Sequence, residues 1–90
     1  MIDQAIRFAA LAHKGMVRKG NNQPYIFHPL EVLNLVSLMT LDDDVLCAAV
    51  LHDTVEDTDA TIEDIQREFG EHVAALVAYE SEDKRGQKTK

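Results

Sequence analysis

An imidazole and three carboxylates lie close together near the middle of this 90-residue sequence. His52 and Asp53 are followed one helical turn later by Glu56 and Asp57. They directly follow an apolar run, and charged groups at the margin of a core need a cation, a proton or a hydrogen-bond donor. Divalent ions accept imidazole and carboxylate together, so a metal could take His52 and Asp53. Glu56 and Asp57 would then orient a bound water. An acidic helix end exposed to solvent is the alternative.

A second imidazole stands at a position that we expect to be rigid. His28 precedes Pro29, which restricts the backbone and favours the start of a helix. We expect His28 at the N-cap of that helix, where it could supply a third metal ligand; an exposed loop histidine is the alternative. His13, on the apolar stripe of the first predicted helix, could reach the same region, although a hydrogen-bonded histidine at the edge of the core is the favoured interpretation.

Arg18 and Lys19 form the only adjacent basic pair in the first 83 positions. They open a segment, residues 18–24, whose Gly, Asn and Pro predict an exposed loop. Such side chains bind phosphate oxygens, and a guanidinium also stacks on bases. The pair could therefore hold a phosphorylated ligand, with a solvated charged loop as the alternative.

The composition limits partners and location. Sixteen acids against nine bases give a formal charge of −7, which disfavours binding to a nucleic acid polyanion but leaves a small phosphorylated ligand open. The lone Cys47 lies in an apolar run, so we expect a packing residue in a reducing cytosol. No apolar stretch approaches the roughly 20 residues that span a bilayer, and the first residues lack the basic start of a signal peptide. We expect a cytoplasmic protein with no membrane partner.

The apolar positions recur with a helical period almost throughout, which predicts an all-α bundle of about five helices. We expect one helical domain over residues 1–80 and a polar, disordered tail over residues 81–90. The first predicted helix begins at Asp3 and ends at Gly15 or Gly20, and the second opens at His28-Pro29. The third starts at Asp42-Asp43-Asp44 and runs through Val45–Val55 as the central helix. The fourth runs from a capping box at Thr61–Asp64 to Gly70, and the fifth carries Val73, Leu76 and Val77.

Four segments follow one another along the chain: Ala12-His-Lys-Gly-Met-Val-Arg-Lys19, Gln23-Pro-Tyr-Ile-Phe-His-Pro-Leu30, Ala48-Ala-Val-Leu-His-Asp-Thr-Val-Glu-Asp-Thr58 and Thr61–Val77. Together they resemble the N-terminal HD hydrolase domain of RelA/SpoT proteins and the small alarmone hydrolases. The resemblance covers nearly all of residues 3–80. It implies an HD-domain helical bundle that uses manganese to remove the 3′-pyrophosphate of guanosine tetra- or pentaphosphate (ppGpp or pppGpp), the alarmones of the stringent response.

The resemblance also implies a role for each matching residue. A metal would lower the pKa of a water, and a carboxylate would position that water for attack on phosphorus. His13 matches a recurrent histidine that is not a ligand. The implied metal ligands are His28, His52 and Asp53, the implied catalytic acids are Glu56 and Asp57, and the implied substrate-binding residues are Arg18, Lys19 and Tyr25.

The sequence departs from the family pattern in one respect. The pattern has a further metal-binding aspartate in a later Lys-Leu-Ala-Asp-like helix, and no segment matches it; Asp83 lies in the polar tail. We therefore expect about the N-terminal half of such a domain. It could be a fragment, a short protein completed by homodimerisation, or an inactive relic. A catalytically impaired module that binds a nucleotide or a protein is the alternative function.

Overall fold

The computed structural model of the chain describes residues 1–79, and five helices make up this part. The all-α bundle expected from the sequence is confirmed. Within these residues no strand forms, and Val17 and Pro24 make an isolated antiparallel bridge. The tail predicted over residues 81–90 lies outside the described residues. The helices are α1 (Ile2–Ala12), α2 (Phe27–Ser37), α3 (Asp43–Asp57), α4 (Ile62–Phe69) and α5 (residues 71–79).

Helix α3 is the centre of the bundle, as predicted, and packs against both α1 and α2. Its start is fixed by Asp42, whose carboxylate accepts hydrogen bonds from the backbone N–H groups of Asp44 and Val45 at 2.9 and 3.4 Å. Cys47 is buried in the core, consistent with a packing role. The same helix therefore carries the core and, at its far end, the His-Asp motif. Its buried residues are Leu46, Cys47, Ala48, Val50, Leu51, Asp53, Thr54 and Val55.

The first two helices begin elsewhere than predicted. Met1 is the N-cap of α1, and Asp3 does not cap the helix but pairs with the terminal amino group at 3.2 Å. Helix α1 ends at Ala12, before either candidate glycine. Helix α2 begins at Phe27, so His28 is its second residue rather than its N-cap. Pro29 still lies in the first turn, where a backbone N–H has no intrahelical partner to lose.

Local signals place α4 and α5 correctly. Thr61 and Asp64 form the predicted capping box, each side chain accepting a 3.1 Å hydrogen bond from the other's backbone N–H. Gly70, at φ +95°, ends α4 as expected. Val73 and Val77 of α5 are buried. Phe8 and Phe69 pack edge to face, so α4 closes against α1.

The end of α2 and the turn after it expose large apolar side chains. Leu35, Leu38, Met39 and Leu41 are between 65% and 87% exposed. We call these four residues the α2 apolar patch. In addition, no helix within residues 1–79 is long and apolar enough to span a membrane.

Candidate functional site

Two histidines meet the same carboxylate near the end of α3. His28 Nε2 lies 3.2 Å from Asp53 Oδ2, and His52 Nε2 lies 3.0 Å from Asp53 Oδ1. Asp53 is only 4% exposed, so its charge is largely removed from solvent. The first turn of α2 supplies His28, and α3 supplies the other two. The fold thus brings together the three residues predicted as metal ligands.

The backbone of α3 orients the ring of His52. Its Nδ1 lies 2.9 Å from the carbonyl oxygen of Ala49, which accepts a hydrogen bond from that nitrogen. A neutral imidazole with its proton on Nδ1 carries a lone pair on Nε2, the nitrogen that faces Asp53. A lone pair against a carboxylate oxygen needs a proton or a cation between them. The hydrogen bond to Ala49 is the kind of outer contact that fixes a metal-binding histidine.

The chemistry of these donors fits a divalent ion. Donor atoms that share an ion at about 2.1 Å stand roughly 3.0–3.4 Å apart, the range in which both nitrogen–oxygen distances to Asp53 fall. Because Asp53 turns a different oxygen to each imidazole, the three side chains contact in pairs. Within the described residues, no three His, Cys, Asp or Glu side chains are already arranged together as a metal site.

Tyr25 joins the carboxylates of α3. Its hydroxyl lies 3.1 Å from Asp57 Oδ2 and 3.4 Å from Asp53 Oδ2, and its single O–H is shared between these two acceptors. Burial, together with the negative charge of Asp53 and the hydrogen bond to Asp57, raises the pKa of Tyr25. The phenol therefore keeps its proton at neutral pH. The sequence placed Tyr25 near the site but did not indicate these partners.

We call His28, His52 and Asp53 the His-Asp cluster. Glu56 and Asp57 are the last two residues of α3 and follow shortly after His52 and Asp53 in the chain. Glu56 is half-buried and Asp57 is exposed. Asp57 therefore lies where the buried cluster meets solvent, with one of its oxygens on Tyr25.

The basic pair lies on a structured turn. Arg18 Nη1 lies 3.2 and 3.3 Å from the two carboxylate oxygens of Glu31 on α2, whereas Lys19 is exposed. Within residues 1–79 Arg18 pairs with Glu31 rather than with the His-Asp cluster. No sequence signal marked Glu31, because its distance from Arg18 depends on how the turn folds back on α2.

His13 lies behind Tyr25, with ring centroids 4.7 Å apart. It is 2% exposed, and neither ring nitrogen has a hydrogen-bond partner within residues 1–79. The prediction that His13 is hydrogen-bonded at the edge of the core is therefore wrong for the described residues. Burial lowers the pKa of His13, although the charges of Asp53 and Asp57 act in the opposite direction.

Residues 5–90 match the family described as HD domain. The chain belongs to this family. Its HD domain is of the RelA/SpoT type, because it is 46% identical over 76 residues to guanosine-3′,5′-bis(diphosphate) 3′-pyrophosphohydrolase of Aquifex aeolicus and 46% identical over 74 residues to the bifunctional (p)ppGpp synthase/hydrolase SpoT of Escherichia coli K12. A GTP pyrophosphokinase of Streptomyces coelicolor is 43% identical over 76 residues.

These matches cover 84%, 82% and 84% of this HD domain chain but only 11%, 10% and 9% of the relatives. The chain thus spans about a tenth of the length of the curated relatives it matches. A solved structure of a metazoan SpoT ortholog, described as hydrolysing ppGpp and acting in starvation responses, superimposes with a TM-score of 0.81 at 39% identity. That match covers 84% of this chain and 44% of the solved chain.

Proposed function

We propose that this HD domain is a metal-dependent 3′-pyrophosphohydrolase site for ppGpp and pppGpp. The observation that carries the proposal is the meeting of His28 and His52 on the buried carboxylate of Asp53. The names of the Aquifex and Escherichia relatives and of the metazoan ortholog support the choice of substrate.

His28, His52 and Asp53 would hold the divalent ion, for which we propose Mn²⁺. Such an ion, when bound, supplies Lewis-acid activation of water and neutralises phosphate charge. The hydrogen bond from His52 to Ala49 keeps Nε2 directed at Asp53, so less reorganisation is needed when the cation binds.

The remaining residues would act on the water and on the substrate. Asp57, at the solvent edge, and Glu56 beside it would orient the attacking water and accept its proton. Arg18 and Lys19, on the turn between α1 and α2, would bind the phosphate oxygens and balance their charge. Arg18 must exchange its bond to Glu31 for one to phosphate.

The test is release of pyrophosphate from ppGpp by the purified chain with Mn²⁺. Water adds to phosphorus and the bond to the ribose 3′ oxygen breaks, so GDP and pyrophosphate should appear in equal amounts. His52→Ala should abolish release. His72→Ala is the matched control, because His72 is exposed on α5 and its contact is with Asp44 at the far end of α3. Metal-loaded protein that releases no pyrophosphate would contradict the proposal.

The α2 apolar patch favours a second candidate, a non-catalytic module that binds a protein or forms a homodimer. The four large apolar side chains are exposed within seven positions of the chain, and exposed apolar patches are typical of interaction surfaces. Light scattering of wild-type and Leu38→Glu protein tests self-association: a dimer that the substitution converts to a monomer supports this candidate. A monomer that holds manganese argues against it.

We also propose that the protein is cytoplasmic and that it has no nucleic acid partner. A single buried Cys47 suits a reducing cytoplasm. The formal charge of −7 disfavours a nucleic acid partner.

A further inference from the structure

Two carboxylates on successive turns of α3 approach a single hydroxyl group. Asp53 and Asp57 each place Oδ2 within 3.4 Å of the Tyr25 hydroxyl. Like charges at this spacing on a helix repel each other. A donor between them offsets that repulsion and fixes both side chains, because a hydrogen bond to a charged group is stronger than one between neutral groups.

The ring of Tyr25 is itself held in place. It lies between His13 and His28, with centroid distances of 4.7 and 5.7 Å. Its backbone N–H donates to the carbonyl of Met16 at 2.9 Å, which ties Tyr25 to the other arm of the turn. The hydroxyl thus projects from a fixed ring, and its position is set by packing rather than by the carboxylates.

We propose that Tyr25 is a positioning residue that holds Asp57 beside Asp53, and so aligns the general-base carboxylate with the cation-binding carboxylate. This role rests on the proposed function. It differs from direct contact with the nucleotide, the role that the family resemblance implies. The hydroxyl acts through the carboxylates, and the aromatic ring serves to fix the hydroxyl.

Tyr25→Phe separates the two roles, because it removes only the hydroxyl and keeps the ring that packs on His13. Titration calorimetry with Mn²⁺ alone should show affinity weakened about 10- to 100-fold, the usual loss when an outer partner of a metal ligand is removed. With ppGpp, kcat should fall while KM changes less than about twofold. Tyr79→Phe is the matched control, since Tyr79 is exposed on α5.

The outcomes are distinguishable. Wild-type affinity for Mn²⁺ in Tyr25→Phe, or a wild-type chain that binds no Mn²⁺, overturns the positioning role. A raised KM with unchanged kcat and Mn²⁺ affinity overturns it in favour of nucleotide contact. If wild-type protein binds Mn²⁺ without hydrolysing ppGpp, the proposed function fails, but the calorimetric comparison still decides the role of Tyr25.

Circular dichroism of the metal-free protein checks that Tyr25→Phe folds. Asp57→Asn changes the acceptor of the hydrogen bond that the Tyr25 hydroxyl donates to Asp57. In that background Tyr25→Phe should weaken Mn²⁺ binding less than it does in the wild type, because a neutral amide oxygen accepts a weaker hydrogen bond from the hydroxyl than the carboxylate does. Equal losses in both backgrounds contradict a role through Asp57.

Discussion

The guanidinium of Arg18 reaches from the turn after α1 to the carboxylate of Glu31 on α2, with Nη1 3.2 Å from Oε1. Both side chains retain contact with solvent. An exposed pair of this kind contributes only about 0–1 kcal/mol, so a phosphate group can displace the carboxylate. Glu31 thus binds Arg18 weakly enough for a phosphate ligand to replace it.

The first prediction concerns this pair. Glu31→Gln should lower the KM for ppGpp by up to about fivefold with unchanged kcat, because the competing carboxylate is removed. Steady-state kinetics measures the effect, with the exposed Glu63→Gln on α4 as the control. A higher KM would mean that Glu31 positions Arg18 for the substrate instead of competing with it.

The second prediction concerns metal and stability. Mn²⁺ at 100 times its Kd should stabilise the chain by about 2.7 kcal/mol, because the ion binds the folded state. Thermal unfolding should show a higher Tm with Mn²⁺, an effect removed by excess chelator. His28→Ala and His52→Ala should show little or no shift, and His72→Ala should respond like the wild type. An equal shift in all four proteins would place the ion elsewhere.

The third prediction concerns pH. Burial lowers the pKa of His13 below its ordinary 6.5, so the unfolded chain takes up a proton there more readily than the folded one. The stability contributed by neutral His13 is complete above pH 6.5 and is lost as the pH falls further, by at most about 1.4 kcal/mol per pH unit. Urea unfolding of the metal-free wild type and of His13→Gln should be measured between pH 7.5 and 5. The free energies of unfolding of the two proteins should converge as the pH falls. Parallel curves would contradict it, and His72→Gln is the control.

The fourth prediction concerns the capping box. Thr61→Ala should lower the free energy of unfolding by about 1 kcal/mol, because the backbone N–H of Asp64 loses its acceptor. Urea denaturation measures the change. Gln66→Ala, at an exposed position in the same helix, should stay within about 0.5 kcal/mol of the wild type. Equal effects of the two substitutions would show that the cap contributes nothing.

Several features set by neighbouring residues were predictable from the sequence, although the expected Asp3 cap of α1 was wrong because Asp3 pairs with the terminal amino group instead. Asp42 before α3 and the Thr61–Asp64 box were found because a capping side chain bonds a backbone group two or three residues away. The start of α2 was misplaced because the Pro29 signal fits several positions in a first turn.

Contacts between distant residues were not predictable in the same way. The bonds from Arg18 to Glu31 and from Tyr25 to Asp57 join residues 13 and 32 positions apart. Their distances depend on how the turn packs against α2 and α3, which no local pattern encodes. The family motifs brought Tyr25 to the right region but carried no information on its partner.

The turn between α1 and α2 connects Arg18 to Tyr25. Arg18 lies on one arm and Tyr25 on the other, and the arms are tied by the bonds from Arg18 N–H to Gln23 and from Tyr25 N–H to Met16, at 2.8 and 2.9 Å. These two hydrogen bonds join the arms, so the turn holds Arg18 and Tyr25 as one unit. If this unit couples the proposed phosphate site at Arg18 to the proposed cation site beside Tyr25, phosphate and cation must each change the affinity of the other by the same factor.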